Sequence, residues 1–168
     1  MALSQRKRGA GEEGTVEARS LNERFEMHGE AVRAVTEDPL ESKARGKDQK
    51  KEKKAKRKAI KQALKAENDG EARRPRVFVL DFDGDMQASQ VDQLREEVSA
   101  ILPVVGETDK VLLRLESGGG VVHGYGLAAS QLTRLKDAGI TLTVSVDKVA
   151  ASGGYMMACV GDEIIAEL

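Results

Sequence analysis

Two kinds of hydrophobic pattern meet near residue 76. Beyond it, short apolar runs alternate with stretches whose apolar residues recur every three or four positions, the signature of buried strands and amphipathic helices in turn. The run Val77-Phe78-Val79-Leu80-Asp81-Phe82 predicts a strand, and Asp83-Gly84-Asp85 a turn after it. Ser89, with Asp92 three residues on, predicts the start of a helix with Val91, Leu94, Val98, Ile101 and Leu102 on its apolar face. Pro103 and Gly106 end that helix. A second strand is expected over 110–116 and a glycine turn over 117–120. A second helix follows over 124–138, with Tyr125, Ala128, Ala129, Leu132 and Leu135 inward and Gly139 closing it. A third strand over 140–146, a short helix over 155–160 and a strand from Glu163 complete the pattern. The order β-α-β-α-β-α-β implies an α/β domain with a mostly parallel sheet and right-handed crossovers. Such a sheet is expected to be buried on both faces. Its functional loops gather at the C-terminal ends of the strands, so the turns 117–120 and 149–154 should lie side by side.

Before residue 76 the chain is polar, with scattered apolar residues such as Val16, Leu21, Phe25, Met27, Val32 and Val35. Ser20 with Glu23 three residues on predicts the start of a short amphipathic helix. Charge separates the two parts: residues 1–76 carry 21 Lys and Arg against 14 Asp and Glu, a net +7, while residues 77–168 carry 6 against 14, a net −8. The reading is a charged extension over 1–75, helical or disordered in its basic linker 43–65, followed by a domain over 76–168. The linker has 12 Lys and Arg against Asp48 and Glu52 and no aromatic residue. Without stacking side chains nucleic acid is not an expected partner. Solvation is the ordinary state of such a run, and contact with an anionic membrane is the functional alternative. No run of about 18 apolar residues occurs, so no transmembrane helix is predicted within the chain, and residues 1–8 are not followed by the apolar stretch of a signal peptide. Because the chain stops at Leu168, in or just after a strand, it is expected to be the N-terminal piece of a longer domain.

The chemistry available is narrow. Cys159 is the single cysteine and is expected in the core, so no internal disulfide forms. His28 and His123 are far apart, and neither a zinc site nor any other metal or cofactor is expected. The stretch Val149-Ala150-Ala151-Ser152-Gly153-Gly154-Tyr155 sits between a buried strand and a short helix. Ser152 there is either a helix cap, the ordinary role of a junction serine, or an exposed nucleophile between small neighbours. The N–H groups of Gly153 and Gly154 begin a helix without intrahelical acceptors and can stabilise an oxyanion. The triple glycine Gly118-Gly119-Gly120 lets backbone approach a ligand closely, or simply makes a tight turn. It lacks the Lys-Ser/Thr of a phosphate-binding loop, and His123 stands where a dinucleotide motif would need glycine. His123 is a candidate base or a solvated helix residue. Lys148 precedes Ser152 by four and is expected to point elsewhere, Asp147 to cap or turn the chain, and Tyr155, Met156 and Met157 to form core or groove wall.

Three blocks carry a resemblance: Leu113-Arg114-Leu115-Glu116-Ser117-Gly118-Gly119-Gly120, His123-Gly124-Tyr125-Gly126-Leu127-Ala128-Ala129-Ser130, and the run from Val146 through Ser152 to Cys159. On these blocks the sequence from Arg76 to Leu168 resembles the protease SohB and signal peptide peptidase A family, and the basic extension resembles the one found in SohB. The resemblance implies a ClpP/crotonase-like fold and a serine endopeptidase with a Ser/Lys dyad and no cofactor. Ser152 matches the nucleophile, and Gly119, Gly120 and Gly153 match the region that forms the oxyanion hole. The family's base lysine would lie beyond Leu168. The family usually has Ser-Pro-Gly-Gly where this chain has Ser117-Gly118-Gly119-Gly120, and Gly in place of Pro leaves the loop freer. The resemblance further implies a polypeptide substrate, a homo-oligomer and association with the bacterial inner membrane for the full-length protein. The alternatives are a non-catalytic scaffold that keeps the fold, and a crotonase-like acyl-CoA enzyme, which Ala151-Ser152-Gly153-Gly154 disfavours. Without its lysine, the chain alone is expected to be inactive.

Overall fold

A computed structural model describes residues 15–38, several residues within 41–59, and residues 74–166. The chain divides into two units, Ala18–Arg73 and the remainder, which is built on Arg74–Leu168. In the first unit, helix α1 spans Leu21–Thr36, and the hydroxyl of Ser20 accepts the Glu23 N–H at 3.3 Å, as the capping pattern predicts. The helix buries none of its residues. Within the basic linker, residues 50–55 and 57–59 are helical and exposed. Residues 45, 46 and 48 are also helical, with Arg45 half-buried, and the remaining linker positions, including 60–65, lie outside the described residues.

The second unit is a four-stranded, all-parallel sheet of order β1-β2-β3-β4. Its strands are β1 (Val77–Gly84), β2 (Lys110–Ser117), β3 (Thr141–Ala150) and β4 (Glu163–Ala166). They are joined through α2 (Val91–Ile101), α3 (Val122–Asp137) and α4 (Gly153–Ala158). This is the α/β arrangement of a ClpP/crotonase-like fold. The strands follow one another across the sheet, and right-handed crossovers running in one direction place all three helices on one face. Burial therefore alternates: Val111, Leu113, Leu115 and Ser117 of β2 are buried under the helices, and Leu112, Arg114 and Glu116 are not. Within this chain the far face, expected to be buried like the near one, is half-buried to exposed. The far face carries Asp81 opposite Arg114, paired through two hydrogen bonds of 2.6 and 2.7 Å. The core under the helices is built from Leu80, Phe82, Leu94, Val98, Leu132, Leu142, Val144 and Met157, among others.

The β1–α2 junction also departs from expectation. Ser89 does not cap the helix; Gln90 occupies the N-cap position and makes no side-chain cap bond. Instead the Asp85 carboxylate takes the Ser89 hydroxyl at 2.6 Å, the Ser89 N–H at 2.9 Å and the Gln87 N–H at 3.1 Å. Aspartate competing for local backbone donors is what makes it a turn former, and it delays the helix to Val91.

At the other end of the sheet Asp109 ties β2 to the start of β1. Its carboxylate accepts the Gly106 N–H at 2.8 Å, the Arg76 N–H at 2.7 Å and the Arg76 guanidinium at 2.7 Å. The Gly106 N–H, and then Arg76, hold the Asp109 pKa below its ordinary value although burial opposes them. A carboxylate more acidic in the folded chain stabilises it above the unfolded value of about 3.9, and loses that contribution as pH falls through the folded value. The melting temperature of Asp109→Asn should therefore lie below that of the wild type by a constant gap near neutral pH, and the gap should close below about pH 4. A gap unchanged down to pH 2.5 would contradict this linkage.

Candidate active site

The candidate site lies where β2 and β3 end together. Leu115 pairs with Val146, but the next pair is Ser117 with Ala150, so β3 carries extra residues between them. Asp147 thus belongs to a bulged strand and not to a cap or turn. Bulges re-aim a chain at sites of this kind. Lys148 holds this one: its Nζ lies 2.8 and 2.9 Å from the two carboxylate oxygens of Glu116 on β2. Beyond the bulge, the Ala151 N–H donates to the Ser117 carbonyl at 2.9 Å.

At Ser152 the backbone has φ 49° and ψ −113°, a conformation that L-residues rarely adopt. Such strain costs about 1–3 kcal/mol and persists only where the surroundings impose it. Ser152 is exposed, and α4 begins at the following residue. Ser152 thus stands at a positive φ between a strand and a helix, the kind of junction at which some α/β folds expose a serine hydroxyl. Ser152 makes no side-chain cap bond to α4, so the ordinary role of a junction serine is not the one seen.

The glycine turn lies against this serine. Gly119 has φ 87°, and a Cβ there would stand 2.6 Å from Ser152 Cβ and 2.7 Å from the Ala151 carbonyl oxygen. A Cβ at Gly120 would stand 2.1 Å from the Met86 carbonyl oxygen, and one at Gly153 would stand 2.3 Å from Tyr125 Cγ. Both turns thus need glycine for close approach, and the two loops are neighbours at the same end of adjacent parallel strands. The N–H groups divide sharply. That of Gly119 donates to Ser117 Oγ at 3.0 Å, and that of Gly154 to the Ala151 carbonyl at 2.8 Å. Among the described residues, nothing accepts the N–H of Gly120 or of Gly153.

The remaining candidates sit apart. His123 is exposed in the first turn of α3, and among the described residues no side chain hydrogen-bonds Ser152 Oγ. The hydrogen bond to Glu116, and then its charge, raise the Lys148 pKa, so this lysine stays an ammonium; a base lysine needs the opposite shift. Cys159 is exposed and not in the core, because α4 turns Met157 and Ala158 inward and the C-cap residue that follows the helix is left outside. Met157 is fully buried, while Tyr155 and Met156 are exposed. Two participants were read from sequence only as an inward core residue and a turn residue. Tyr125 and Ser117 are buried, with Tyr125 Oη 2.6 Å from Ser117 Oγ and 2.7 Å from the Asp85 carbonyl. The available signal was a tyrosine on an otherwise aliphatic face, since a buried hydroxyl requires a partner.

Comparison with known families matches residues 1–132 to the N-terminal model of peptidase family S49 and residues 134–168 to the peptidase family S49 model. The chain belongs to peptidase family S49. Over 167 residues, 99% of this S49 chain, it is 52% identical to the "Probable protease SohB" of Haemophilus influenzae, of which the match covers 47%. It is 67% identical over 92 residues to the "Probable protease SohB" of Buchnera aphidicola subsp. Schlechtendalia chinensis, covering 55% of this chain and 30% of that one. A third relative of the same description, from Buchnera aphidicola subsp. Acyrthosiphon pisum, is 67% identical over 93 residues. The chain therefore spans about half the length of the Haemophilus relative.

The packing of this candidate site sets a test. Gly119→Ala combines a positive φ with contact at 2.6 Å, whereas a Cβ at Gly118 meets nothing within 4 Å. Gly119→Ala should cost roughly 1–3 kcal/mol in urea unfolding, and Gly118→Ala should stay within about 0.5 kcal/mol of the wild type. Equal costs at the two positions would show that the turns do not meet as described.

Proposed function

We propose that this chain carries the nucleophile and the oxyanion donors of a serine endopeptidase. One observation carries the reading: a strained, exposed Ser152 is packed against Gly119 of the glycine turn, and the N–H groups of Gly153, which follows Ser152, and of Gly120, which follows Gly119, are unspent. Ser152 Oγ attacks a peptide carbonyl carbon, and the carbonyl oxygen becomes an oxyanion held by those two N–H groups. The departing amine leaves an acyl-serine, which water then hydrolyses. Gly119 contributes shape: its backbone forms the floor beside Ser152, and its N–H is already engaged. The relatives named as probable proteases support the reaction class.

The base is a lysine supplied by sequence beyond Leu168. Kept neutral by burial, it takes the Ser152 proton and returns it to the leaving amine. Neither His123 nor Lys148 fits that role, for the reasons of geometry and charge given above. The substrate is a polypeptide. Among the described residues no helix is long and apolar enough to cross a membrane.

The test compares the purified 168-residue chain with a version extended through the downstream half of its relatives. Each is given a denatured protein substrate and a fluorophosphonate probe. Cleavage is expected only from the extended version, and Ser152→Ala should lower it by about 10⁴-fold or more. Robust cleavage by the shorter chain, lost in Ser152→Ala, would place the base within it. Cleavage that survives Ser152→Ala would remove Ser152 from the mechanism.

A further inference from the structure

We propose that Tyr125 is a positioning residue for the site, setting the oxyanion turn through Ser117 while its ring supports the nucleophile turn. The proposal rests on the peptidase reading above.

Proton counting gives the hydrogen bonds a direction. The Tyr125 hydroxyl has one proton, and the Asp85 carbonyl 2.7 Å away can only accept it. Ser117 Oγ, 2.6 Å from Tyr125 Oη, must then be the donor of that contact. Its single proton is committed there, and the Gly84 carbonyl at 3.3 Å is the more distant alternative. A lone pair of Ser117 Oγ remains to accept the Gly119 N–H at 3.0 Å. The chain runs one way, from Gly119 N–H to Ser117 O–H to Tyr125 O–H to the Asp85 carbonyl. Bonds aligned in one sense strengthen one another, most of all away from water. Here Tyr125 is 0% exposed and Ser117 2%.

The consequence falls on the glycine turn. With the Gly119 N–H held inward, the next N–H of the turn, that of Gly120, is left unspent. The same tyrosine underlies the other donor. Gly153 rests on its ring so closely that a Cβ would stand 2.3 Å from Tyr125 Cγ. The ring is itself fixed by an edge-on contact with Phe82, with centroids 6.2 Å apart and planes at 68°. One side chain, anchored in the core, thus spaces the two N–H groups proposed to bind the oxyanion. Tyr125 touches no reacting atom, so its effect should appear in turnover and not in substrate binding.

The experiment uses the protein carrying the downstream half of its relatives, with Tyr125→Phe, Ser117→Ala and the double variant. Steady-state kinetics on a peptide substrate are paired with amide hydrogen exchange at Gly119. Tyr125→Phe, which keeps the ring, should lower kcat about tenfold while KM stays within about twofold, a smaller loss than deleting an oxyanion donor outright. Ser117→Ala should do at least as much. The double variant should be no worse than Ser117→Ala, because both cut one chain of bonds. Gly119 exchange should be about tenfold or more faster in each single variant. Unchanged kcat in Tyr125→Phe, beside a wild type whose cleavage is lost in Ser152→Ala, would overturn the proposal. So would multiplicative losses in the double variant or unchanged Gly119 exchange. A wild type with no Ser152-dependent cleavage would defeat the peptidase reading by itself, and Gly119 exchange would still uphold or overturn the hydrogen-bonded strut.

Discussion

The hydrogen bond from the Ala151 N–H to the Ser117 carbonyl, 2.9 Å long, is the constraint on which the candidate site depends. It is the last bond between β2 and β3, made after β3 has bulged. Without the bulge, the partner of Ser117 would be the residue at 148, and Ser152 would emerge well past the glycine turn. With it, the pairing resumes at Ala150, and the chain turns at Ser152 directly against Gly119. The Lys148–Glu116 ion pair closes the same bulge from the far side of the sheet. Lys148 is exposed, so the pair fixes geometry more than it stabilises the fold.

Strain at Ser152 is sustained by its surroundings. The residues before and after it are Ala151 and Gly153, and Gly153 and Gly154 rest on the buried side chains of Tyr125 and Ser117. Each close approach is made by a glycine whose missing side chain is replaced by a specific neighbour: Ser152 for Gly119, Met86 for Gly120, Tyr125 for Gly153. An α-carbon has no freedom to drift in such a contact, because interiors are packed as densely as organic crystals. Rigidity of this kind is what an oxyanion site needs, since its donors act by being in place before charge develops.

Among the described residues of this unit, the helices cover one face of the sheet. Its strands read as continuous apolar runs because their helix-side residues are buried and several far-side residues, such as Val79 and Leu112, are apolar but half-buried. Between them stand Asp81, Arg114 and Glu116, which pair with one another or with Lys148. A strand's composition reports how apolar its two faces are together. Which face receives the helices follows from strand order, and order 1-2-3-4 sends every crossover to the same side.

Strands, helices and the parallel sheet were legible in the chain, because apolar periodicity is a local property that the sequence displays directly. Ser152 and the glycine turn were legible as an unusual run of small residues at the end of a strand. Element ends were less so. β3 runs four residues past Val146, and α2 starts two residues after Ser89, because side chains distant in sequence or competing nearby decided where pairing stops. The exposure of Cys159, the engagement of the Gly119 N–H and the partnership of Tyr125 with Ser117 could not be read from any window of residues. The Tyr125 contacts join positions 8 and 40 apart, and only the folded chain brings those together. By itself the sequence determined which residues are small, apolar or reactive; tertiary structure decided which N–H groups remain unspent, because that depends on every partner within 3 Å at once.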